Sequence, residues 1–241
     1  MTKIAENFSA HAQSYDEFAK IQPLVAARLA ATLTGKPRRI LEIGCGTGHL
    51  SAHLLQNFPD AELVLSDISS SMLALCQQKL GSKPTYLCFD AASLPQGLGR
   101  FDLIVSSLAL QWIDDLGLCL QHLSEHLQPH GRLAVSILGN KNFSEWASLL
   151  REFGGVPGLH HYPSIENFPW PEGKKGEVSQ EFLQEHYKSG TAFLKALKKI
   201  GASAARRDHK PTSVAQMRQV LKATEQGFAV TYHVLYANLM P

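Results

Sequence analysis

The sequence predicts an α/β fold in which a mostly parallel β-sheet lies between two layers of helices. One observation is that short apolar runs alternate with segments of helix length along the first 138 residues. Such alternation is typical of parallel strands joined by right-handed helical crossovers. A second observation is a turn with three glycines directly after the first apolar run, where a strand passes into a helix. The predicted strands are 39–43, 62–66, 85–89, 101–106 and 131–138.

Helices are predicted between these strands and at both ends of the chain. Apolar residues recur at steps of three and four across 4–34, which indicates an amphipathic helical segment with a break near Gln22 and Pro23. Further helices are predicted at 49–58, 69–80, 116–127, 189–200 and 213–224. Two later strands, at 202–207 and 228–238, would complete a sheet of seven strands.

Length and composition favour one globular domain without an obvious class of partner. The chain has 241 residues, 44% of them apolar and 18% charged, and its formal net charge is +2. Its four cysteines are scattered singly, which favours reduced thiols. The start of the chain lacks an apolar leader, and no apolar run reaches the ~18 residues of a membrane span. We therefore expect a cytoplasmic monomer that contacts no membrane.

The glycine turn is the strongest local signal in the sequence. Its residues are Ile40-Leu41-Glu42-Ile43-Gly44-Cys45-Gly46-Thr47-Gly48. Glycine accepts positive φ and lets a ligand approach bare backbone, and the following helix offers free N–H groups at its first turn. The spacing G-x-G-x-G is shorter than the dinucleotide fingerprint G-x-G-x-x-G. It therefore favours a ligand with a carboxylate, an amine and a ribose, although a plain strand–helix turn is the alternative.

An acid follows this turn at an informative distance. Asp67 directly follows the second predicted strand, nineteen residues after Gly48, and an acid at about that distance commonly binds ribose hydroxyls. Asp67 could instead cap the next helix, but Ser69 and Ser70 could do so equally well. The i, i+4 histidine pairs (His49 with His53, His122 with His126) lack a third ligand, so we predict no metal site.

Together these motifs resemble the S-adenosylmethionine-binding core of class I methyltransferases. The resemblance lies in Glu-Ile-Gly-Cys-Gly-Thr-Gly, in Leu-Ser-Asp-Ile-Ser and in Phe89-Asp90-Ala91. It implies a Rossmann-like three-layer sandwich with a seven-stranded, mostly parallel sheet whose last strand is antiparallel. It also implies that the glycines bind the methionyl part of the cofactor, Asp67 its ribose and Asp90 with Ala91 its adenine. The implied cofactor-binding residues are Glu42, Gly44, Gly46, Gly48, Asp67, Ile68, Asp90, Ala91, Leu108 and Tyr15.

Two further segments are predicted to border the cofactor. In the methyltransferases that this chain resembles, an N-terminal Phe and a Tyr-Asp pair fold over the cofactor as a lid. The Tyr-Asp pair of this chain is Tyr15-Asp16. The alternative is that Tyr15 packs on the sheet. The loop after the fourth strand, residues 106–112, lies at the carboxyl edge where such sheets bind ligands. Leu108 and Trp112 are therefore expected to line the site, although Trp112 could simply fill the core.

The implied single domain divides into four parts along the chain. Residues 1–36 would form the helical lid, 38–138 the cofactor-binding core, 154–188 an insertion at the substrate rim and 189–241 the completion of the sheet. The 154–188 part has four prolines and no clear period.

Basic residues cluster near the end of the chain. Nine lysines and arginines and one acid, Asp208, lie between 188 and 222. The cluster could be a solvated helix face or a docking surface for an acidic partner. Nucleic acid is not favoured, because aromatic residues do not interleave with these charges. Lys195, Lys198 and Lys199, with Trp112, are the predicted substrate or partner residues.

A narrower resemblance suggests the acceptor. Ser-Leu-Ala-Leu-Gln-Trp, Gly-Arg-Leu-Ala-Val-Ser-Ile-Leu-Gly, Leu-Lys-Lys-Ile-Gly-Ala and Thr-Tyr-His-Val-Leu-Tyr resemble segments of the malonyl-acyl-carrier-protein O-methyltransferases of biotin synthesis. This implies methylation of the free carboxyl of malonyl-acyl carrier protein, with no assigned catalytic residue. A cation, Lys141, Lys188 or Lys195, is expected to hold the acceptor carboxylate. The alternative is a small-molecule methyltransferase of the quinone-precursor or trans-aconitate type.

Overall fold

The computed structural model describes residues 3–203, 206, 209 and 211–240. The described helices and strands alternate as the sequence predicts, and their bounds are as follows. The helices are α1 Lys3–Phe18, α2 Ile21–Ala31, α3 His49–Asn57, α4 Ser70–Leu80, α5 Leu116–Glu125, α6 Ser144–Glu152, α7 Gly190–Lys199 and α8 Val214–Ala223. The strands are β1 Arg39–Ile43, β2 Glu62–Asp67, β3 Thr85–Cys88, β4 Phe101–Ser107, β5 Leu127–Leu138, β6 Glu177–Tyr187 and β7 Phe228–Leu239.

The strands form one sheet in the order β3-β2-β1-β4-β5-β7-β6 within the described residues. Strands β1 to β5 pair in parallel, whereas β7 is antiparallel to both β5 and β6. The predicted seven-stranded sheet with an antiparallel last strand is therefore confirmed. The chain order reverses between β1 and β4, and the crevice outside their carboxyl ends is where open α/β sheets bind ligands.

One predicted strand is wrong in the described residues. Ala202, Ser203 and Arg206 belong to no strand, and the rest of 202–207 lies outside the described residues. The edge strand is instead β6, in the second half of the 154–188 segment. Its sequence is rich in Glu and Gln, which have low strand propensity, so its pairing along all of β7 overrides the local preference.

The sheet buries apolar side chains on both faces. Ile40 and Leu103 belong to the core cluster on one face, while their chain neighbours Leu41 and Ile104 belong to the cluster on the other. Because side chains alternate along a strand, both faces must be covered by helices. This is why the strands form nearly continuous apolar runs in the sequence.

The N-terminal helices also form as predicted, although the break between them lies at Ala19 and Lys20 rather than at Gln22 and Pro23. Pro23 lies in the first turn of α2. Backbone N–H groups in that turn have no intrahelical hydrogen-bond partner, so a proline there costs the helix no hydrogen bond. Helix α1 packs against α4 and α7. Among the described residues, no helix is long and apolar enough to cross a membrane.

Candidate active site

A cavity of about 360 Å³ lies at the carboxyl ends of β1, β2 and β4. Its walls come from the glycine turn, the ends of β2 and β3, the loop after β4 and helix α1. All predicted cofactor-binding residues except Gly48 line it, and Trp112 lines it as well. The lining members of that set are Glu42, Gly44, Gly46, Asp67, Ile68, Asp90, Ala91, Leu108 and Tyr15.

The three glycines have different structural roles. All have positive φ, of 69°, 54° and 94° for Gly44, Gly46 and Gly48. A Cβ on Gly44 would lie 2.3 Å from the Cβ of Ala109, so this glycine lets the loop after β4 pack closely. Gly48 precedes α3 as its N-cap and packs against Cys76 and Leu80 instead of the cavity. A Cβ on Gly46 would meet nothing within 4 Å, so the backbone of Gly46 is open beside the cavity.

Asp67 is held rigidly beside this backbone. Its Oδ2 accepts from the Gly46 N–H at 2.9 Å and its Oδ1 from the Ser69 N–H at 2.8 Å. A carboxylate has about four acceptor positions, so both oxygens keep capacity for a ligand hydroxyl. Burial raises the pKa of Asp67 above its usual value, against the effect of these hydrogen bonds. Helix α4 is capped by Ser69, whose Oγ accepts from the Met72 N–H, so capping does not require Asp67.

A second buried acid lies at the start of the turn. Glu42 is 1% exposed, and Ser51 of α3 donates a hydrogen bond to its Oε2 at 2.6 Å. Burial raises the pKa of Glu42 to about 8. Asp90 lies across the cavity, with its Oδ1 accepting from the Ala92 N–H. Because no lysine or arginine lines the described cavity, these acids favour a ligand that carries positive charge.

Helix α1 covers the cavity and is fastened to the turn beneath it. Asp16 accepts from the Thr47 hydroxyl at 2.5 Å, lies 3.2 Å from the His49 Nε2 and forms an ion pair with Lys79. Although burial raises the pKa of Asp16, its hydrogen bonds to Lys79 and Thr47 lower it overall. Tyr15, next to Asp16, lines the cavity, so α1 has the position of the predicted lid.

A smaller cavity of about 50 Å³ adjoins the first. The two share a wall that includes Phe8, Tyr15, Gln22, Leu108 and Trp112. The remaining described lining residues of the smaller cavity are mostly apolar or neutral. They are Gln111, Leu138, Phe143, Tyr162, Leu197, Ile200, Ala202 and Tyr232.

The expected cation for an acceptor carboxylate is absent from the described walls of both cavities. Lys141, Lys188 and Lys195 line neither one. Lys141 instead lies 5.8 Å from the centre of the Phe182 ring, and Lys188 and Lys195 are exposed. Position along the chain could not reveal which way these side chains point.

The basic cluster lies next to the smaller cavity, on its outer side. Leu197 of α7 and Ile200, directly after that helix, line the cavity, while Lys195 and Lys198 of α7 are exposed and Lys199 is half-buried. Arg206 forms a hydrogen bond with His161. Arg207, Asp208 and Lys210 lie outside the described residues.

Three polar residues of the smaller cavity were not proposed individually as site residues, although Gln111 lies in the loop that was expected to line the site. Gln22 belongs to α2, Gln111 to the short 3₁₀ turn Leu110–Trp112, and Tyr162 to the irregular segment before β6. They are far apart in the chain, so no local motif connects them. The sequence did predict that the segments 106–112 and 154–188 both lie near the substrate. That prediction was the one indication that Gln111 and Tyr162 could meet in the same cavity.

Comparison with known proteins agrees with this architecture. A family model described as a methyltransferase domain matches residues 40–131. The YcgJ protein of Bacillus subtilis, a solved structure, superposes with a TM-score of 0.60 at 14% identity, over 90% of this chain and 97% of that one. At this identity the likeness shows the fold alone.

Two curated relatives align over almost the whole chain. Malonyl-[acyl-carrier protein] O-methyltransferase of Magnetococcus marinus is 39% identical, with 97% of this chain and 90% of the relative covered. The biotin biosynthesis bifunctional protein BioCD of Bordetella avium is also 39% identical, over 98% of this chain and 51% of that longer protein. The chain therefore belongs to the methyltransferase family that includes the malonyl-[acyl-carrier protein] O-methyltransferase of Magnetococcus marinus.

Proposed function

We propose that this protein transfers a methyl group from S-adenosylmethionine to the free carboxyl of a malonyl group on acyl carrier protein, a step towards biotin. The observation that carries the proposal is the pair of adjoining cavities. The larger is acidic and has the open glycine backbone, whereas the smaller is neutral and short, and the two share the wall formed by Tyr15, Leu108 and Trp112. A methyl donor and a small acid can therefore meet across that wall.

The cofactor would fit the larger cavity through specific residues. Gly46 offers backbone to its methionyl part, Asp67 offers carboxylate oxygens to its ribose, and Asp90 with Ala91 borders the place of its adenine. Asp67 and Asp90 match its positive charge, and a bound cation favours the ionised form of Glu42. When bound, S-adenosylmethionine supplies a methyl group on a positively charged sulfur, which is a good leaving group.

The reaction itself requires little acid–base chemistry from the protein. The acceptor carboxylate is already ionised at neutral pH. One of its oxygens forms the new O–CH₃ bond while the S–CH₃ bond breaks, and that electron pair remains on sulfur. No proton moves, so the residues of the two cavities need only align the reactants and exclude water. The lack of a lysine in the described walls is consistent with this, because an ion pair would reduce the reactivity of the carboxylate.

The same features disfavour the small-molecule alternatives. Carbon methylation of a quinone precursor needs a base to remove a proton, and the described lining of the smaller cavity has no His, Asp or Glu. A tricarboxylate such as trans-aconitate would bring several negative charges to walls without a described cation.

Acyl carrier protein would dock on the outer face of α7. That helix and Ile200, directly after it, wall the smaller cavity, to which the helix contributes Leu197. The helix also presents Lys195 and Lys198 to solvent, next to Lys199. An acidic carrier would approach this face under electrostatic attraction. The thioester arm would then enter beside α7.

The acceptor is tested by measuring transfer from methyl-labelled S-adenosylmethionine to a panel of acids. We expect efficient transfer to malonyl-acyl carrier protein and much slower transfer to free malonate, trans-aconitate and a quinone precursor. Faster transfer to a free acid than to the carrier-bound malonyl group would contradict the proposal.

The docking face is tested by the double reversal of Lys198 and Lys199 to Glu. It should lower kcat/KM for malonyl-acyl carrier protein by about 10-fold or more, since mutations of interface charges change association rates and their salt dependence. Activity on malonyl-pantetheine, which has no carrier protein, should remain. The matched control reverses Lys174 and Lys175, an exposed pair before the start of β6, whereas α7 follows the other end of that strand. If kcat/KM for malonyl-acyl carrier protein falls equally in both variants, α7 has no specific role in docking the carrier.

A further inference from the structure

The polar groups of the smaller cavity without a hydrogen bond to a described residue include the Gln111 Oε1 and the Tyr162 hydroxyl. The Tyr232 hydroxyl is paired with that of Tyr187 at 3.2 Å, and Gln111 donates from its Nε2 to the Leu108 carbonyl at 2.6 Å. The Tyr162 side chain lines the cavity and is half-buried, and its hydroxyl forms no hydrogen bond with any described residue. This hydroxyl can therefore donate a hydrogen bond to a ligand in the smaller cavity.

Backbone strain is a second, independent observation at the same cavity. Leu108 and Phe143 are the non-glycine residues with positive φ in the described part of the chain, at 49° and 55°. Both line the smaller cavity. Each is held in place by a backbone hydrogen bond, from Leu108 to Ser136 at 2.8 Å and from Phe143 to Thr231 at 2.9 Å. Strain of this kind costs about 1–3 kcal/mol per residue and concentrates at ligand sites.

Tyr162 itself is anchored on both sides. The carbonyl of the next residue, Pro163, accepts from the Asn140 N–H at 2.9 Å, just after the end of β5. Two residues earlier, the His160 ring packs edge-on against Trp112 with 5.3 Å between ring centres. Trp112 belongs to the wall shared by the two cavities. The irregular segment thus places the Tyr162 hydroxyl firmly on the side where the acceptor would lie.

We propose that Tyr162 donates the hydrogen bond that recognises the acceptor carboxylate, and that the smaller cavity selects short acyl groups that end in a carboxylate. The proposal rests on the function proposed above and names the recognition group of that same site. Burial raises the pKa of Tyr162 above its usual value, so the hydroxyl keeps its proton and acts as a donor at neutral pH.

A neutral donor suits this reaction better than a cation does. It orients one carboxylate oxygen and leaves the other free to attack, while the positive charge that attracts the carboxylate comes from the methyl donor across the shared wall. The size of the cavity sets the length of the acyl group. A volume of about 50 Å³ favours a short acyl group such as malonyl over longer ones.

The test compares how malonyl-pantetheine and acetyl-pantetheine bind to the complex of the protein with S-adenosylhomocysteine. These probes differ in the terminal carboxylate. Wild type should prefer malonyl-pantetheine, and Tyr162→Phe should reduce this preference by about 10- to 100-fold, as expected for a hydrogen bond to a charged group. Succinyl-pantetheine should bind wild type more weakly than malonyl-pantetheine does.

The controls separate recognition from folding. Tyr162→Phe should bind S-adenosylhomocysteine as wild type does, and its kcat/KM for malonyl-acyl carrier protein should fall by the same factor as the binding preference. Tyr86→Phe removes a hydroxyl that donates a hydrogen bond to the Gly81 carbonyl, away from both cavities. This control variant should keep both the binding preference for malonyl-pantetheine and the kcat/KM of wild type.

Two outcomes distinguish this proposal from the proposed function. If wild type prefers malonyl-pantetheine, loses that preference in Tyr162→Phe and yet transfers no methyl group, the recognition site stands and the reaction assignment fails. If wild type shows no such preference, or Tyr162→Phe keeps it in full, the assignment of Tyr162 is overturned even where methyl transfer occurs.

Discussion

Replacing Gly46 with alanine tests the proposed contact between the glycine turn and the cofactor. Gly46 has a φ of 54°, and its new Cβ would meet no protein atom within 4 Å. The only cost to folding is therefore the left-handed backbone, about 1–2 kcal/mol for a residue with a Cβ. The added methyl would instead occupy space at the cavity wall that the cofactor needs.

The effect on binding follows from the same geometry. Inserting a methyl group into a well-packed contact costs about 1–3 kcal/mol. Because each 1.4 kcal/mol is tenfold in affinity, Gly46→Ala should bind S-adenosylhomocysteine about 5- to 150-fold more weakly. Titration calorimetry gives this affinity, and chemical denaturation gives the free energy of unfolding.

A matched control is available at Gly173. It has a φ of 69° and equally open space around a Cβ, but it lies in a turn outside both cavities. Gly173→Ala should lose similar stability and keep its affinity for S-adenosylhomocysteine. If the two variants bind this ligand equally well, the placement of the cofactor against Gly46 is refuted.

Two further predictions concern Glu42 and the lid. Because burial raises the pKa of Glu42 from 4.5 to about 8, the folded protein holds a proton that the unfolded chain has lost, and its stability should fall as pH rises through that window. A cationic cofactor favours ionised Glu42, so its binding should release protons at neutral pH and become tighter towards pH ~8. Calorimetry in buffers of different ionisation enthalpy measures the number of protons released. Glu42→Gln should abolish the proton release that is due to Glu42. Asp16→Asn weakens the ties of α1 to Lys79 and His49. It should speed release of S-adenosylhomocysteine about 2- to 5-fold in stopped flow, whereas Glu17→Gln, an exposed neighbour, should not.

The cofactor side could be predicted from the sequence because its determinants are local. An apolar strand, a glycine turn and a helix follow one another within 39–58, and Asp67 ends the next strand. In a parallel sheet such strand ends necessarily meet at one edge. The positions of these residues in one cavity follow from that rule alone.

The acceptor side could not be predicted in the same way. Gln22, Gln111 and Tyr162 meet only through tertiary packing, and Tyr162 belongs to a segment without periodicity. The direction of a lysine side chain is also set by packing, so the sequence could not show that Lys141, Lys188 and Lys195 lie outside the described walls of both cavities. Strand β6 was missed for a related reason, since its exposed, polar sequence is held by pairing with β7.

The most direct test of the account is the intact mass of malonyl-acyl carrier protein after incubation with the enzyme and deuterium-labelled S-adenosylmethionine. We expect one labelled methyl group on the malonyl unit, released as methanol by mild base because it is an ester. Acetyl-acyl carrier protein, which lacks the free carboxylate, should gain none. A label that resists base, or that appears equally on the acetyl form, would contradict carboxyl methylation.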